Sequence, residues 1–199
     1  VLLIADIGGY TRFMKVHRIN LAHAQDVVAR LLESILDAAK GFKLAKLEGD
    51  AAFLYAPLAS WPADLSGFGK QLAAIRHAFL ERQARIEADS ACTCDGCTQA
   101  GQLKLKFVAH VGEVAEQKVK RNKELAGVSV ITVHRMLKNH VPISEYVLMT
   151  ESLFSALGDD VKPLGRAQPE ELEGLGAVTT HYVDMNELVR EHPPKPRSS

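Results

Sequence analysis

The sequence predicts an α+β domain, a mostly antiparallel sheet with helices packed on one face. Three observations carry that prediction. Short apolar runs of strand length alternate with longer stretches whose apolar residues recur every three or four positions. Two of the strand-like runs flank a glycine turn, as a hairpin does. The order runs strand, long helix, hairpin, helix, strand, helix, strand, helix, strand, which suggests an extended ferredoxin-like core.

VLLIAD, at the start, is an apolar run of strand length, and Thr11 is placed to cap the helix that follows. Up to about Lys40 the pairs Val27/Val28, Leu31/Leu32 and Ile35/Leu36 recur every four residues, an apolar stripe along one long helix or two. FKLAKLEGDAAFLYAP alternates on both sides of a Glu48-Gly49-Asp50 turn and reads as a hairpin. Past the Pro and Gly punctuation of PLASWPADLSGFG, residues 69 to 88 read as helix, with Leu72, Ile75, Phe79 and Ile86 on one side. LKLKFVAHVGEV alternates until it reaches His110 and Gly112 and is a strand. VSVITVHRMLKN reads as helix, EYVLM as strand and ESLFSALG as helix, and the β-branched GAVTTHYVDM closes the sheet. One domain is therefore expected over residues 1–189, with a Cys-rich insert at about 89–101 and a disordered, Pro- and Ser-rich tail at 190–199.

The 199 residues are 47% hydrophobic, enough for a sizeable core. Lys plus Arg (24) equal Asp plus Glu (24), so no broad field of one sign marks a nucleic-acid or membrane partner, and a charged ligand must be captured locally. No apolar run reaches the length of a membrane span, and the short apolar start lacks the layout of a signal peptide, so the expectation is a soluble, cytoplasmic protein.

All three cysteines, Cys92, Cys94 and Cys97, fall in CTCDGC, an odd and local set that makes a poor disulfide framework. Three thiolates suit a tetrahedral zinc that lacks one ligand, and His110, His134, His181, Asp95 or a second protomer are candidates for it. A redox-labile thiol cluster is the other reading. For His110 itself, a hydrogen-bonded core position is the stronger reading.

Asp6 ends the first strand and Asp50 lies in the hairpin turn, and in a ferredoxin-like sheet these two elements can be neighbours. Converging carboxylates repel unless a cation lies between them. Mg²⁺ or Mn²⁺ takes oxygen donors, and Mg²⁺ is typically held by one or two carboxylates plus substrate phosphates. The turn IGGYT fits the same ligand, because backbone N–H groups around Gly9, Tyr10 and Thr11 are free to face an anion at a helix start. Taken singly, each aspartate also reads as a cap or turn residue.

The pairing of ADIGGYT with KLEGDAAFLYA resembles the class III adenylate and guanylate cyclase domain, whose pattern is FADIxGFT followed by KxxGDxxM. LKFVAHVGEV resembles that family's strand ending in HxG, ELAGVSVITVHRM its DxxGxxVNxAxRM segment, and ELEGLGAVTTHYV its KGKGxxxTYxV strands, all in the same order. The chain is more similar still to an uncharacterised branch of cyclase-like proteins with a CxCxxC insert, a KFxxHxGE strand and HRxLKN.

The resemblance implies the nucleotide cyclase fold and a site that joins a ribose 3′-oxygen to an α-phosphate, with two Mg²⁺ or Mn²⁺ ions at the entering and leaving oxygens. It assigns Asp6 and Asp50 as metal ligands with the Ile7 carbonyl, Lys46 and Glu124 as readers of the base, ATP favoured, and Arg135 as the catalytic brace on the phosphates. It also implies a homodimer, the metals from one protomer and the base and ribose contacts from the other. Two positions depart from the pattern: Ile131 stands for the ribose-orienting asparagine and Leu175 for a phosphate lysine. Lys120, Arg121 and Lys138 are candidates for the missing cation, and a pyrimidine triphosphate is an alternative substrate. Losing such donors commonly costs about a hundredfold or more each in rate. The expectation is a cyclase-like domain of weak, altered or lost activity, with a non-catalytic nucleotide or metal sensor or dimerisation module as the alternative.

Overall fold

The computed structural model describes residues 1–16, 21–88 and 99–194. Its elements are β1 (Leu2–Gly8), α1 (Tyr10–Val16), α2 (Leu21–Ala38), β2 (Lys43–Glu48), β3 (Ala51–Tyr55), α3 (Phe68–Ala88), β4 (Lys104–His110), β5 (Ala115–Val119), β6 (Asn122–Ala126), α4 (Val128–Arg135), β7 (Tyr146–Thr150), α5 (Glu151–Phe154), β8 (Arg166–Ala167), β9 (Glu170–Leu172), β10 (Gly176–Val178), β11 (Thr180–Asp184) and α6 (Met185–Glu191). Seven strands form one sheet in the order β2-β3-β1-β4-β7-β11-β8. The β4/β7 pair is parallel and the other neighbours are antiparallel. The predicted α+β class holds.

Successive residues of a strand face opposite sides of the sheet, and β1, lying centrally, is apolar on both. Leu3, Ala5 and Ile7 meet the large core under α2 and α3, where Val27, Leu31 and Ile35 of α2 and Leu72, Ile75, Phe79 and Ile86 of α3 are buried as their spacing predicts. Leu2 and Ile4 face the other way and pack with Phe53, Val108 and Leu148 beneath Val133 and Met136, at and just beyond the end of α4. Helices therefore cover both faces, where the sequence suggested one. The short α4 carries its apolar positions too briefly to reveal which side of a sheet it covers.

Other boundaries moved for identifiable reasons. The first helix starts at Tyr10, and Gly9, at φ +89°, stands before it while its carbonyl accepts from Phe13 N–H at 2.9 Å, so Thr11 is not the cap. A left-handed φ is open to glycine at no steric cost, which lets the chain turn two residues sooner. Glu48 pairs with Ala51, which leaves Gly49-Asp50 as a two-residue turn and puts Glu48 in the strand. The expected closing strand GAVTTHYVDM splits at Thr179, β10 pairing with β9 in a separate ribbon and β11 joining the main sheet. In ESLFSALG only Glu151–Phe154 is helical. The polar β5/β6 hairpin has no apolar alternation to betray it. Asp184 accepts from Asn186 N–H at 2.7 Å and starts α6, which runs through Glu191 into the stretch expected as tail. Among the described residues, no helix is long and apolar enough to cross a membrane.

α3 is fixed at both ends of its buried face. Arg76, only 7% exposed, donates to Asn186 at 2.8 Å and pairs with Glu145 at 3.3 Å. Gln83 donates to the carbonyls of Ala100 and Leu103 at 2.7 and 2.9 Å, and Glu87 accepts from Gly101 N–H at 2.9 Å, so the chain returning to β4 is tied to the helix it left.

Candidate acidic site at the β1 and β3 strand ends

Asp6 closes the α4 face of β1, in line with Leu2 and Ile4 and opposite Ala51 of β3. Asp50 immediately precedes Ala51, and its carbonyl accepts from Ile7 N–H at 3.1 Å, a bond that fastens the hairpin turn to β1. Two residues remote in sequence are thereby brought near enough for the charge of one carboxylate to act on the other. Burial, followed by the Asp6 charge, pushes the Asp50 carboxyl above its ordinary value, against its own backbone hydrogen bond and Lys106. Ile7 has a fully buried side chain, so only its backbone is available to a ligand.

Lys106 is a member of this site that the sequence analysis missed. It stands directly across from Asp6 on β4, and its Nζ lies 3.1 Å from Asp6 Oδ2. Burial opposes its charge, but Asp6, with Tyr146 and Asp50, outweighs burial and holds the ammonium above the usual lysine range. Tyr146, on β7, exchanges hydrogen bonds with Asn139 at 2.9 and 3.0 Å. Asp50, Asp6, Lys106, Tyr146 and Asn139 form a polar ladder across the sheet under α4. The sequence signal was the Lys in LKLKF, a polar residue on the same side of β4 as the buried Val108.

The HRMLKN stretch is explained by the same face. His134 presents Nδ1 to the Val130 carbonyl at 2.8 Å and Nε2 to both Glu48 oxygens at 3.0 and 3.2 Å, with its ring edge-on to Phe53. It pins α4 to the strand that leads into Asp50. Asn139 reaches Tyr146. Arg135 is paired with Glu173, in the turn between β9 and β10 where Leu175 also lies. Gly112 allows α4 to approach, since a Cβ there would run into the Ser129 side chain and the His110 ring.

The remaining predicted residues are dispersed within one chain. Ile131 and Arg135 line a cavity of about 340 Å³ with Val130, His134 and Lys138, to which neither Asp6 nor Asp50 contributes. Glu124, on β6, lines a groove of about 320 Å³ with Lys43, Tyr55 and Glu116, whereas Lys46 is exposed on β2 opposite Phe53 and outside that lining. Gly9 lines a cavity of about 140 Å³ with Arg12 and Gln102, Tyr10 packs on the core and Thr11 is exposed. Lys120 lies between β5 and β6 at the hairpin turn, beside Arg121.

Cys92, Cys94 and Cys97 lie outside the described residues. Of the histidines considered as a fourth zinc ligand, His110 shares a hydrogen bond with Thr150 at 2.9 Å, His134 is held as above, and His181 stacks on Phe154. Among the described residues no group of three or more His, Cys, Asp or Glu side chains is placed to hold a metal. The Asp6/Asp50 pair offers two carboxylates, which fits an ion that completes its shell with water and phosphate oxygens and does not fit a closed structural metal site.

The fold is that of the nucleotidyl cyclase catalytic domains. The guanylyl cyclase Cya2 superposes with a TM-score of 0.69 at 15% identity over 92% of this chain and 89% of that one. The adenylyl cyclase CyaB from P. aeruginosa gives 0.66 at 14% over 92% and 91%, and the guanylate cyclase domain of RhGC from Catenaria anguillulae, solved in complex with GTP, gives 0.59 at 18% over 92% and 93%. In sequence, the chain is 51% identical over 158 residues to the uncharacterized protein Rv2561/Rv2562 of Mycobacterium tuberculosis (strain ATCC 25618 / H37Rv), covering 79% of this chain and 73% of the relative. Residues 28–146 match the model of a family described as a protein of unknown function, DUF2652, and with more than half of its length inside that match this chain belongs to the DUF2652 family.

Proposed function

We propose that this chain is a cyclase-like domain that binds a nucleoside triphosphate with Mg²⁺ or Mn²⁺ through Asp6 and Asp50, with weak, altered or lost cyclase activity. The observation that carries the reading is the acidic pair itself. Burial and the Asp6 charge both disfavour the ionised Asp50 carboxylate, a cost that a bound divalent cation would relieve. Asp6, Asp50 and the Ile7 backbone would hold the metal, which when bound supplies charge neutralisation at the phosphates. ATP is the favoured nucleotide.

A complete site of this kind needs a second copy. Arg135 and Glu124 line surfaces separate from the acidic pair, so in this reading a two-fold partner brings its own Arg135, Lys46 and Glu124 to Asp6 and Asp50. Val128 and Ile131 leave 65% and 50% of their surface exposed on α4, in keeping with a surface that a partner covers. Ile131 has no hydrogen-bonding group for a ribose, and Arg135 is engaged by Glu173, which favours binding over turnover. These two features also support the second reading, a non-catalytic nucleotide- or metal-sensing or dimerisation module.

Incubation of the purified chain with each nucleoside triphosphate and Mg²⁺ or Mn²⁺, assayed for cyclic product, separates the readings when paired with calorimetry of a non-hydrolysable analogue. Slow product formation abolished by Asp50→Asn establishes an enzyme. Binding without product, lost in Asp50→Asn, identifies a sensor. No binding and no product leaves a module that keeps the fold alone.

A further inference from the structure

The acidic pair has a cation already, and it belongs to the protein. We infer that Lys106 is the built-in counter-ion of Asp6 and Asp50, a positioning residue whose ammonium holds the pair together without metal and is displaced when a divalent cation enters. The inference rests on the reading of Asp6 and Asp50 as a cation site and adds what sets the affinity of that site.

Geometry favours it over an incidental surface pair. Lys106 and Asp6 are direct cross-strand partners on β4 and β1, so the backbone ladder fixes their approach with no need to order two long side chains in solvent. The contact is 3.1 Å, with the two side chains 24% and 17% exposed, so water screens it only in part. The groups facing Lys106 are Asp6, Asp50 and the Tyr146 phenol, which is itself tied to Asn139. Hence the ammonium is held on Asp6, with Asp50 and the Tyr146–Asn139 pair near enough to act on it. A divalent ion approaching Asp6 meets a positive charge already in hydrogen-bonding contact with that carboxylate. Like charges at such range are strongly unfavourable, so the ion and the ammonium exclude each other. Lys106 therefore lowers the affinity of the site for free metal and favours metal that arrives already partly neutralised by phosphate.

The test uses Mn²⁺ alone, titrated into the intact chain and followed by the electron paramagnetic resonance of the free ion. Lys106→Met keeps the length and removes the charge, and is expected to bind Mn²⁺ roughly tenfold more tightly than the unmutated chain. Lys106→Arg keeps the charge and is expected to stay weak. Without metal, Lys106→Met should melt lower, and adding Asp6→Asn should restore much of the loss, since the uncompensated repulsion is then gone. Mn²⁺ binding that Asp6→Asn and Asp50→Asn abolish, but that is unchanged or weaker in folded Lys106→Met, overturns the inference and leaves the cation site standing. Absence of Mn²⁺ binding in both the unmutated chain and Lys106→Met ends the cation-site reading and the inference with it. Binding seen only in Lys106→Met supports both.

Discussion

The two faces of the central sheet are built on opposite principles. On the α2/α3 side every position from Leu3 to Ile7 that points inward meets aliphatic or aromatic side chains, and Phe68, Phe79 and Phe107 are fully buried. On the α4 side the apolar set is smaller and the strand ends carry Asp6, Lys106 and Glu48 beneath a single short helix. Burial of apolar area is non-directional and strong, whereas a half-buried polar ladder contributes little net stability but fixes charges in defined places. One face supplies the folding free energy that lets the other hold repelling carboxylates together.

Substitutions on each side sharpen that contrast. Phe79→Ala, on the α3 side, is expected to cost about 3–5 kcal/mol in urea unfolding, the range for deleting a buried aromatic ring. His134→Ala, which releases α4 from Glu48 and removes the ring from Phe53, is expected to cost about 1–2 kcal/mol, and a loss equal to that of Phe79→Ala would erase the distinction between the faces. Tyr146→Phe, which removes the hydroxyl bonded to Asn139 while the Asn139 bonds to Met136 and Val141 remain, should cost about 1 kcal/mol with no change in secondary structure by circular dichroism.

The smallest effect has the opposite sign. The Asp50 carboxyl is raised from an ordinary 3.8, so the native state holds its proton more tightly than the unfolded chain. Ionised Asp50 therefore costs stability above its folded-state value and costs nothing below the ordinary one. Asp50→Asn should raise the melting temperature at neutral pH in metal-free buffer, and the gain should shrink as the pH is lowered into the carboxylate range. A gain that persists in acid would show that the ionised carboxylate, disfavoured by burial and by the Asp6 charge, is not its source.

Much of this was legible in the sequence because the long elements announce themselves. The four-residue spacing in α2, and Leu72, Ile75, Phe79 and Ile86 in α3, are core positions as read, and the neighbouring of Asp6 and Asp50 follows from setting a strand beside a hairpin. What escaped depends on tertiary register. Lys106 looks like one more polar residue in an alternating strand until β4 is laid antiparallel to β1, and only then does it face Asp6. Glu48 looked like a turn residue until the turn shortened to Gly49-Asp50 and placed it against His134. The β5/β6 hairpin rests on backbone pairing between polar strands, for which hydrophobic period has no signal. Lys46, Glu124 and Arg135 are spread over separate surfaces, and no pattern within one chain determines whether another copy gathers them.

The ties from Gln83 and Glu87 to Ala100, Gly101 and Leu103 have a consequence for the acidic site some distance along the same strand. They act as an index pin: by fixing where the polypeptide re-enters the sheet, they choose which lysine of LKLK arrives beside Asp6. One extra residue between Leu103 and Lys104 would turn the ammonium toward the aliphatic side, and two would deliver Lys104 in its stead. Loosening the pin by Gln83→Ala should therefore disturb the charge balance at Asp6 without altering any group that touches it.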